Sequence, residues 1–328
     1  MDHIREIEII VNIALQNLGG WLQSIMQIVT TLGDEIFFIL IMPAIYWCID
    51  SATGVRVGVM LLLGTGFNNI FKLLFRGPRP YWISDKVKAV VHESSFGLPS
   101  GHAMNAATVW GWLAVEFKQR WATISAIAVI FLIGLSRLVM GVHFLSDVLL
   151  GWLLGGLLVW AFAKWVKGIS HWLKTLSCGA QVGLAFASSL LMILLALAVR
   201  SIPIGWQMPE AWLTRAGEVD PLSPNGILTT AGTWFGMLAG FAWLRKLKGT
   251  LQSDGAFLQR LARLLSGLVG VLAIYLGLGQ LFPNSGDLLS MLLRYLRYGL
   301  IGLWVSFLAP LLFERLKIAK IKPVARQF

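Results

Sequence analysis

The sequence predicts an all-α integral membrane protein, built as a helical bundle of about nine transmembrane helices. Three observations carry that expectation. Hydrophobic residues make up 57% of the 328 and charged residues only 13%, against about a quarter charged in a soluble domain. The mean hydropathy is +0.73, and the 15 Trp and 34 Gly suit lipid-embedded helices and their interfaces. The apolar residues also gather into nine runs, near the roughly 20 residues that cross a ~30 Å hydrocarbon core at ~1.5 Å each. This composition excludes a soluble enzyme, a disordered chain and a disulfide-rich secreted domain. Cys48 and Cys178 are too few and too far apart for a staple or a metal site, and read as inert apolar residues at helix ends.

In chain order, residues 1–33 come first. Ile4, Ile7, Ile10, Ile13, Ala14 and Leu18 recur at three-to-four spacing between polar residues, the pattern of an amphipathic helix lying at the membrane interface. The nine runs follow at about 34–49, 54–75, 100–116, 121–138, 144–165, 178–199, 227–244, 262–282 and 288–313. An odd number of crossings puts the chain ends on opposite sides. With each charge assigned to its nearer face, the N-terminal side holds 11 Lys/Arg and 12 Asp/Glu, and the other side 16 Lys/Arg and 4 Asp/Glu. The positive-inside rule makes the second side cytoplasmic. Its basic clusters are Lys118/Arg120, Lys164/Lys167/Lys174, Arg245/Lys246/Lys248 and the tail from Arg315 to Arg326. The net charge of +11 is therefore a topology signal, and no nucleic-acid partner is expected. The reading is N-terminus out, C-terminus in, in a bacterial cytoplasmic membrane.

Three clusters of reactive side chains emerge at the outer face. Lys72 closes the second run and Arg79-Pro80 follows within KLLFRGPRP; Pro99-Ser100-Gly101-His102 opens the third run; Ser136-Arg137 ends the fourth, with His143 and Asp147 at the start of the fifth. Lys72, Arg79 and Arg137 are cations at the membrane boundary, where an unpartnered charge is expensive. Arg offers a fork that matches phosphate oxygens, and Lys a point charge. Ser100 and Gly101 sit where a helix begins, and helix N-termini favour anions. Together they form a pocket for a phosphoryl group. His143 and Asp147, four apart, share a helical face. The carboxylate can hold the Nδ1 proton and leave Nε2 as a nucleophile, while His102 is placed to protonate the leaving oxygen. The implied reaction is in-line attack to a phosphohistidine, then hydrolysis with His102 as base. Each cluster alone has a plainer reading: snorkelling cations, an ordinary helix start, a hydrogen-bonded His–Asp pair. Their joint occurrence on one face is what speaks for a site.

The combination resembles the type-2 phosphatidic-acid phosphatase superfamily, which also includes vanadium haloperoxidases and whose signature is K-x6-RP, PSGH and SR-x5-H-x3-D. The resemblance implies phosphate binding by Lys72, Arg79, Ser100, Gly101 and Arg137, with His143 as nucleophile, His102 as acid/base, Asp147 as orienting partner, and no metal or other cofactor. It further implies a six-helix phosphatase core over 34–199, between the N-terminal segment 1–33 and a three-helix membrane extension with a basic tail, 200–328. The expected substrate is a lipid phosphate or diphosphate: phosphatidate, phosphatidylglycerol phosphate, a polyprenyl diphosphate or a sphingoid phosphate. The layout, with Arg79-Pro80-Tyr81-Trp82 and Ser100-Gly101-His102-Ala103-Met104, is also similar to glucose-6-phosphatase, which keeps a sugar phosphate open. A transporter would set its ionisable groups nearer the bilayer midplane.

Weaker expectations concern single residues. Arg76 reads as a solvated charge, His92 and Glu93 as members of a loop over the pocket, Asp34 and Glu35 as caps of the first run, and Arg294 and Arg297 as contacts to headgroups.

Overall fold

The computed structural model describes residues 2–202, 205–283 and 285–323, without the side chains of 2, 35, 36 and 39. The expected cap at Glu35 and the end of the basic tail at Arg326 thus lie outside the described residues. Of the described residues, 77% are helical. Its helices are α1 (Asp2–Gln16), α2 (Gly20–Thr30), α3 (Glu35–Cys48), α4 (Ser51–Phe75), α5 (Pro80–Ile83), α6 (Gly101–Phe117), α7 (Arg120–Val139), α8 (Leu145–Thr175), α9 (Cys178–Arg200), α10 (Glu210–Ala216) and α11 (Asn225–Leu247). Two more, α12 (Phe257–Leu281) and α13 (Leu288–Arg315), follow. A two-stranded antiparallel ribbon joins Thr250–Gln252 to Lys320–Lys322.

Among the described residues, seven helical stretches are long and apolar enough to cross a membrane: Ser51–Ile83, which contains α4, then α7, α8, α9, α11, α12 and α13. The expectation of nine included two more. At 14 residues for α3 and 17 for α6, these helices cover only about 21 and 26 Å of a ~30 Å core. The N-terminal segment also departs from a single helix. Gly19, at φ 110, adopts a backbone conformation open to glycine and divides it into α1 and α2.

The chain forms two compact units. The first comprises residues 1–38, 63–164 and 196–223. In it, α8 lies against α6 through Gly151 and Gly155. A Cβ at Gly151 would stand 2.8 Å from the Ser100 carbonyl, and one at Gly155 2.6 Å from the Ala107 Cβ. This small-residue contact brings the start of α6 beside the start of α8, and the Ser100 N–H donates to the Asp147 carbonyl at 2.9 Å. Helix α1 leaves Ile4, Ile7 and Ile10 exposed. Its polar face is not free for headgroups, because Asn12 donates to the carbonyls of Leu138 (2.8 Å) and His143 (3.1 Å). Glu8 accepts from the Ser146 N–H at 2.6 Å.

The second unit comprises residues 39–62, 165–195 and 224–328. Here α11 and α13 approach until backbones meet. A Cβ on Gly236 would stand 1.8 Å from the Gly299 carbonyl, and one on Gly232 2.4 Å from that of Tyr295. Both cysteines are free and sit at helix ends, Cys48 donating to the Arg260 carbonyl and Cys178 to that of Ala242. Arg297 does not simply reach outward: its guanidinium lies over the rings of Tyr275 and Tyr298, at 5.5 and 4.9 Å.

Candidate active site

All eight site residues expected from the sequence fall in the first unit, on five helix ends and the loops between them. Lys72 is in the last turn of α4, and Arg79 caps the short α5. Ser100 is the N-cap of α6, with Gly101 and His102 in its first turn. Arg137 ends α7, His143 follows in the connecting loop, and Asp147 lies in the first turn of α8. Proline and glycine set these joints: Pro80 takes the first position of α5, where its missing N–H costs nothing. Gly141, at φ 71, turns the chain between Arg137 and His143.

The geometry fixes the state of His143. Its Nδ1 donates to Asp147 Oδ2 at 3.2 Å, and that oxygen also accepts from the Phe144 N–H at 2.9 Å. On the other side, Arg79 Nη1 donates to His143 Nε2 at 3.3 Å. An arginine cannot accept, so Nε2 presents its lone pair. Burial, with Arg79, Arg137, Lys72 and His102 nearby, pushes the pKa of His143 well below its ordinary value and keeps it neutral.

The three cations converge on one loop. Arg79, fully buried, donates through Nε to the Ser95 carbonyl (2.7 Å), through Nη1 to that of Val142 (2.9 Å) and through Nη2 to that of Phe96 (3.2 Å). Lys72 Nζ donates to Ser95 Oγ at 2.8 Å. Arg137 donates to Thr30 Oγ1 at 2.8 Å and to Glu93 Oε1, while its Nε is buried with no acceptor among the described residues. Glu93 also pairs with Arg79 at 3.7 Å. Burial alone would raise the Glu93 pKa, but Arg79, Arg137, Lys72 and His102 outweigh it and bring the carboxyl down to about 2. Tyr81 clips the backbone of the same residue, its hydroxyl donating to the Glu93 carbonyl and accepting from the Glu93 N–H, each at 3.2 Å.

Ser100 and Gly101 do stand at a helix start, though the Ser100 N–H is committed to Asp147. The Ser100 hydroxyl oxygen caps α6 by accepting from the Ala103 N–H at 3.5 Å. His102 is held by Asp34, with Nε2 donating to Oδ1 at 2.7 Å. Asp34 is thus more than a cap of the first run.

Arg76 departs from its expectation as a solvated charge. It is buried, donates to the carbonyls of Leu73 (3.1 Å), Arg200 (2.7 Å) and Ile202 (2.6 Å), and lies 4.9 Å from the Trp206 ring. The Leu73 carbonyl lies in the last turn of α4 and those of Arg200 and Ile202 at and just past the end of α9, where carbonyls need donors. Sequence reasoning did not find Ser95, Thr30 or Asn12 at all. None belongs to a recognisable pattern, because each acts on a partner distant in sequence.

Comparison with known proteins follows the same motifs. The PAP2 superfamily matches residues 53–171, and a PAP2 superfamily phosphatase transmembrane extension matches residues 228–321. The phosphatidylglycerophosphatase B of Bacillus subtilis (strain 168) is 32% identical over 167 residues, covering 47% of this chain and 78% of that one. Glucose-6-phosphatase 3 of Homo sapiens is 30% identical over 177 residues, 46% of this chain and 51% of the relative. The chain therefore spans about half the length of that relative. Sphingosine-1-phosphate phosphatase 1 of Mus musculus is 23% identical over 322 residues, covering 88% of this chain and 71% of its own. These relatives come from mammals and a bacterium alike, so they lend no support to a specifically bacterial membrane.

Proposed function

This chain belongs to the PAP2 superfamily of membrane phosphatases, and on that premise we propose that it hydrolyses a lipid phosphate or diphosphate through a phosphohistidine on His143. One observation carries the reading. The guanidinium groups of Arg79 and Arg137 are bridged by a carboxylate, Glu93, and the same Arg79 meets the lone pair of His143 Nε2. A phosphoryl group seeks the same pair of forks. It would take the place of Glu93 and offer an oxygen to the unpartnered Nε of Arg137.

In the first step, His143 Nε2 attacks phosphorus, the P–N bond forms and the bond to the leaving oxygen breaks. His102 gives that oxygen its proton. Lys72, Arg79, Arg137 and the α6 start at Ser100 and Gly101 hold the equatorial oxygens, where charge gathers. Asp147 keeps the Nδ1 proton in place and stabilises the positive imidazole of the adduct. In the second step His102 takes a proton from water, which attacks phosphorus and releases phosphate from His143.

The substrate reading rests on amphiphile chemistry. A site at one end of apolar helices suits a lipid whose tail stays in the bilayer, and two of the three relatives described above carry names of lipid phosphatases. The likeness to a glucose-6-phosphatase supports a sugar phosphate as the second reading. The N-terminus and the site lie on the extracytoplasmic side, with the C-terminus cytoplasmic, by the charge asymmetry of the loops.

The test is phosphate release by the detergent-purified chain with EDTA present. The panel is phosphatidate, phosphatidylglycerol phosphate, a polyprenyl diphosphate, a sphingoid phosphate and glucose 6-phosphate, with His143→Ala as control. Release from a lipid, lost in the variant, is expected. Release from the sugar phosphate alone would replace the substrate class, and release that persists in His143→Ala would overturn the mechanism.

A further inference from the structure

Both histidines of the site rest on a carboxylate, but the two carboxylates come from different places. Asp147 belongs to the third motif. Asp34 lies ahead of residues 53–171, the stretch shared with the superfamily, on the turn between α2 and α3. That turn is wired to the site at both ends. Thr30 Oγ1 accepts from Arg137 at 2.8 Å, and Asp34 Oδ1 accepts from His102 Nε2 at 2.7 Å. Between them, Gly33 lets the turn lie flat on the imidazole: a Cβ there would stand 3.0 Å from His102 Cδ2 and 2.9 Å from Ile133 Cγ2. A turn that merely capped α3 would need none of these contacts.

We propose that Asp34 is a positioning residue for the acid/base step: it fixes the ring of His102 through Nε2 and holds it as the imidazolium that donates to the leaving oxygen. The proposal rests on the reading of His102 as the general acid. With Nε2–H committed to Asp34, the proton transferred is the one on Nδ1. It passes to the leaving oxygen as the P–O bond breaks and the P–N bond to His143 forms. The ring is left neutral and ready to accept a proton from water in the second step. The carboxylate stabilises the charged form of the acid against the desolvated surroundings and the neighbouring Arg137 and His143, with Glu93 acting in the same direction as Asp34.

The experiment compares Asp34→Asn with the unaltered full-length chain in detergent, following the pre-steady-state release of the leaving group. The two substrates are an alkyl phosphate, whose leaving oxygen needs a proton, and p-nitrophenyl phosphate, whose leaving group needs little help. General acid catalysis is worth ~100-fold or more. Asp34→Asn should therefore slow the alkyl burst by about that factor and the nitrophenyl burst by less than ~3-fold. The alkaline limb of the alkyl profile should move to lower pH, and Asp34→Glu should restore part of the rate. Gly33→Ala, which crowds the ring without touching a charge, should give the same leaving-group signature. Equal losses for both substrates, an unchanged alkyl burst, or a change confined to KM would overturn the proposal. Failure of the unaltered chain to release either leaving group would instead overturn the hydrolase reading beneath it.

Discussion

Glu93→Gln is the perturbation with the most to say about the phosphate site. The carboxylate bridges Arg79 and Arg137, and its pKa lies at about 2 rather than the ordinary 4.5 although burial opposes the change. At about 1.4 kcal/mol per tenfold, that difference amounts to roughly 3 kcal/mol of attraction to the surrounding cations. The side chain is only 27% exposed, so solvent screens little of it. A phosphoryl dianion that binds these guanidinium groups must first displace Glu93 and offset that attraction. Gln keeps the shape and removes the charge. The inhibition constants of inorganic phosphate and of orthovanadate should then fall by about 10- to 100-fold, measured against phosphate release at pH 7. The tie is present above pH 4.5 and lost as pH falls toward about 2, so this difference should hold constant between pH 6 and 8. Unchanged or weaker anion binding in a variant of unchanged thermal midpoint would refute the idea that Glu93 occupies the phosphate position.

Other expectations follow from the same contacts. Arg76→Ala removes three hydrogen bonds to carbonyls at the ends of α4 and α9. It should cost about 3 kcal/mol, read as faster thermal inactivation, with KM unchanged. Gly236→Ala sets a Cβ 1.8 Å from a backbone oxygen and should destabilise by ~2 kcal/mol or more. Gly183→Ala, with nothing within 4 Å, should be neutral or stabilising by up to ~1 kcal/mol in the same assay. Asn12→Ala frees the loop that carries His143 and should lower kcat about tenfold with little change in KM. Because burial and the surrounding cations hold the pKa of His143 below the ordinary 6.5, the acid limb of its contribution to kcat should fall below pH 6.5.

The fold class and the candidate site residues were legible in the sequence, but not the contacts that hold those residues in place. Lys72, Arg79, Ser100, His102, Arg137, His143 and Asp147 were legible as candidates because they fall into motifs of fixed spacing at or next to helix ends. The contacts of Asp34, Thr30, Asn12 and Ser95 were not, since a hydrogen bond between residues 16 to 131 positions apart leaves no local pattern. Arg76 shows the limit of reading a charge from its neighbours in sequence: a cation beside a motif resembled a solvated one, yet it ends a helix more than 100 residues away. The bounds of α3 and α6 lie within a residue of the runs read from the sequence, and only their shortness separates nine runs from seven long apolar helices among the described residues. Similarly, α1 and α2 read as one amphipathic helix, because periodicity runs through Gly19 while the backbone does not.

The central claim is a phosphoryl group carried by His143. Rapid quenching of the full-length chain with a 32P-labelled substrate, followed by peptide mapping, tests it most directly. The account predicts a transient adduct, stable to alkali and labile to acid, on the peptide holding His143, and absent in His143→Ala. Phosphate release at the full rate with no such adduct, or with the label on another residue, would contradict it.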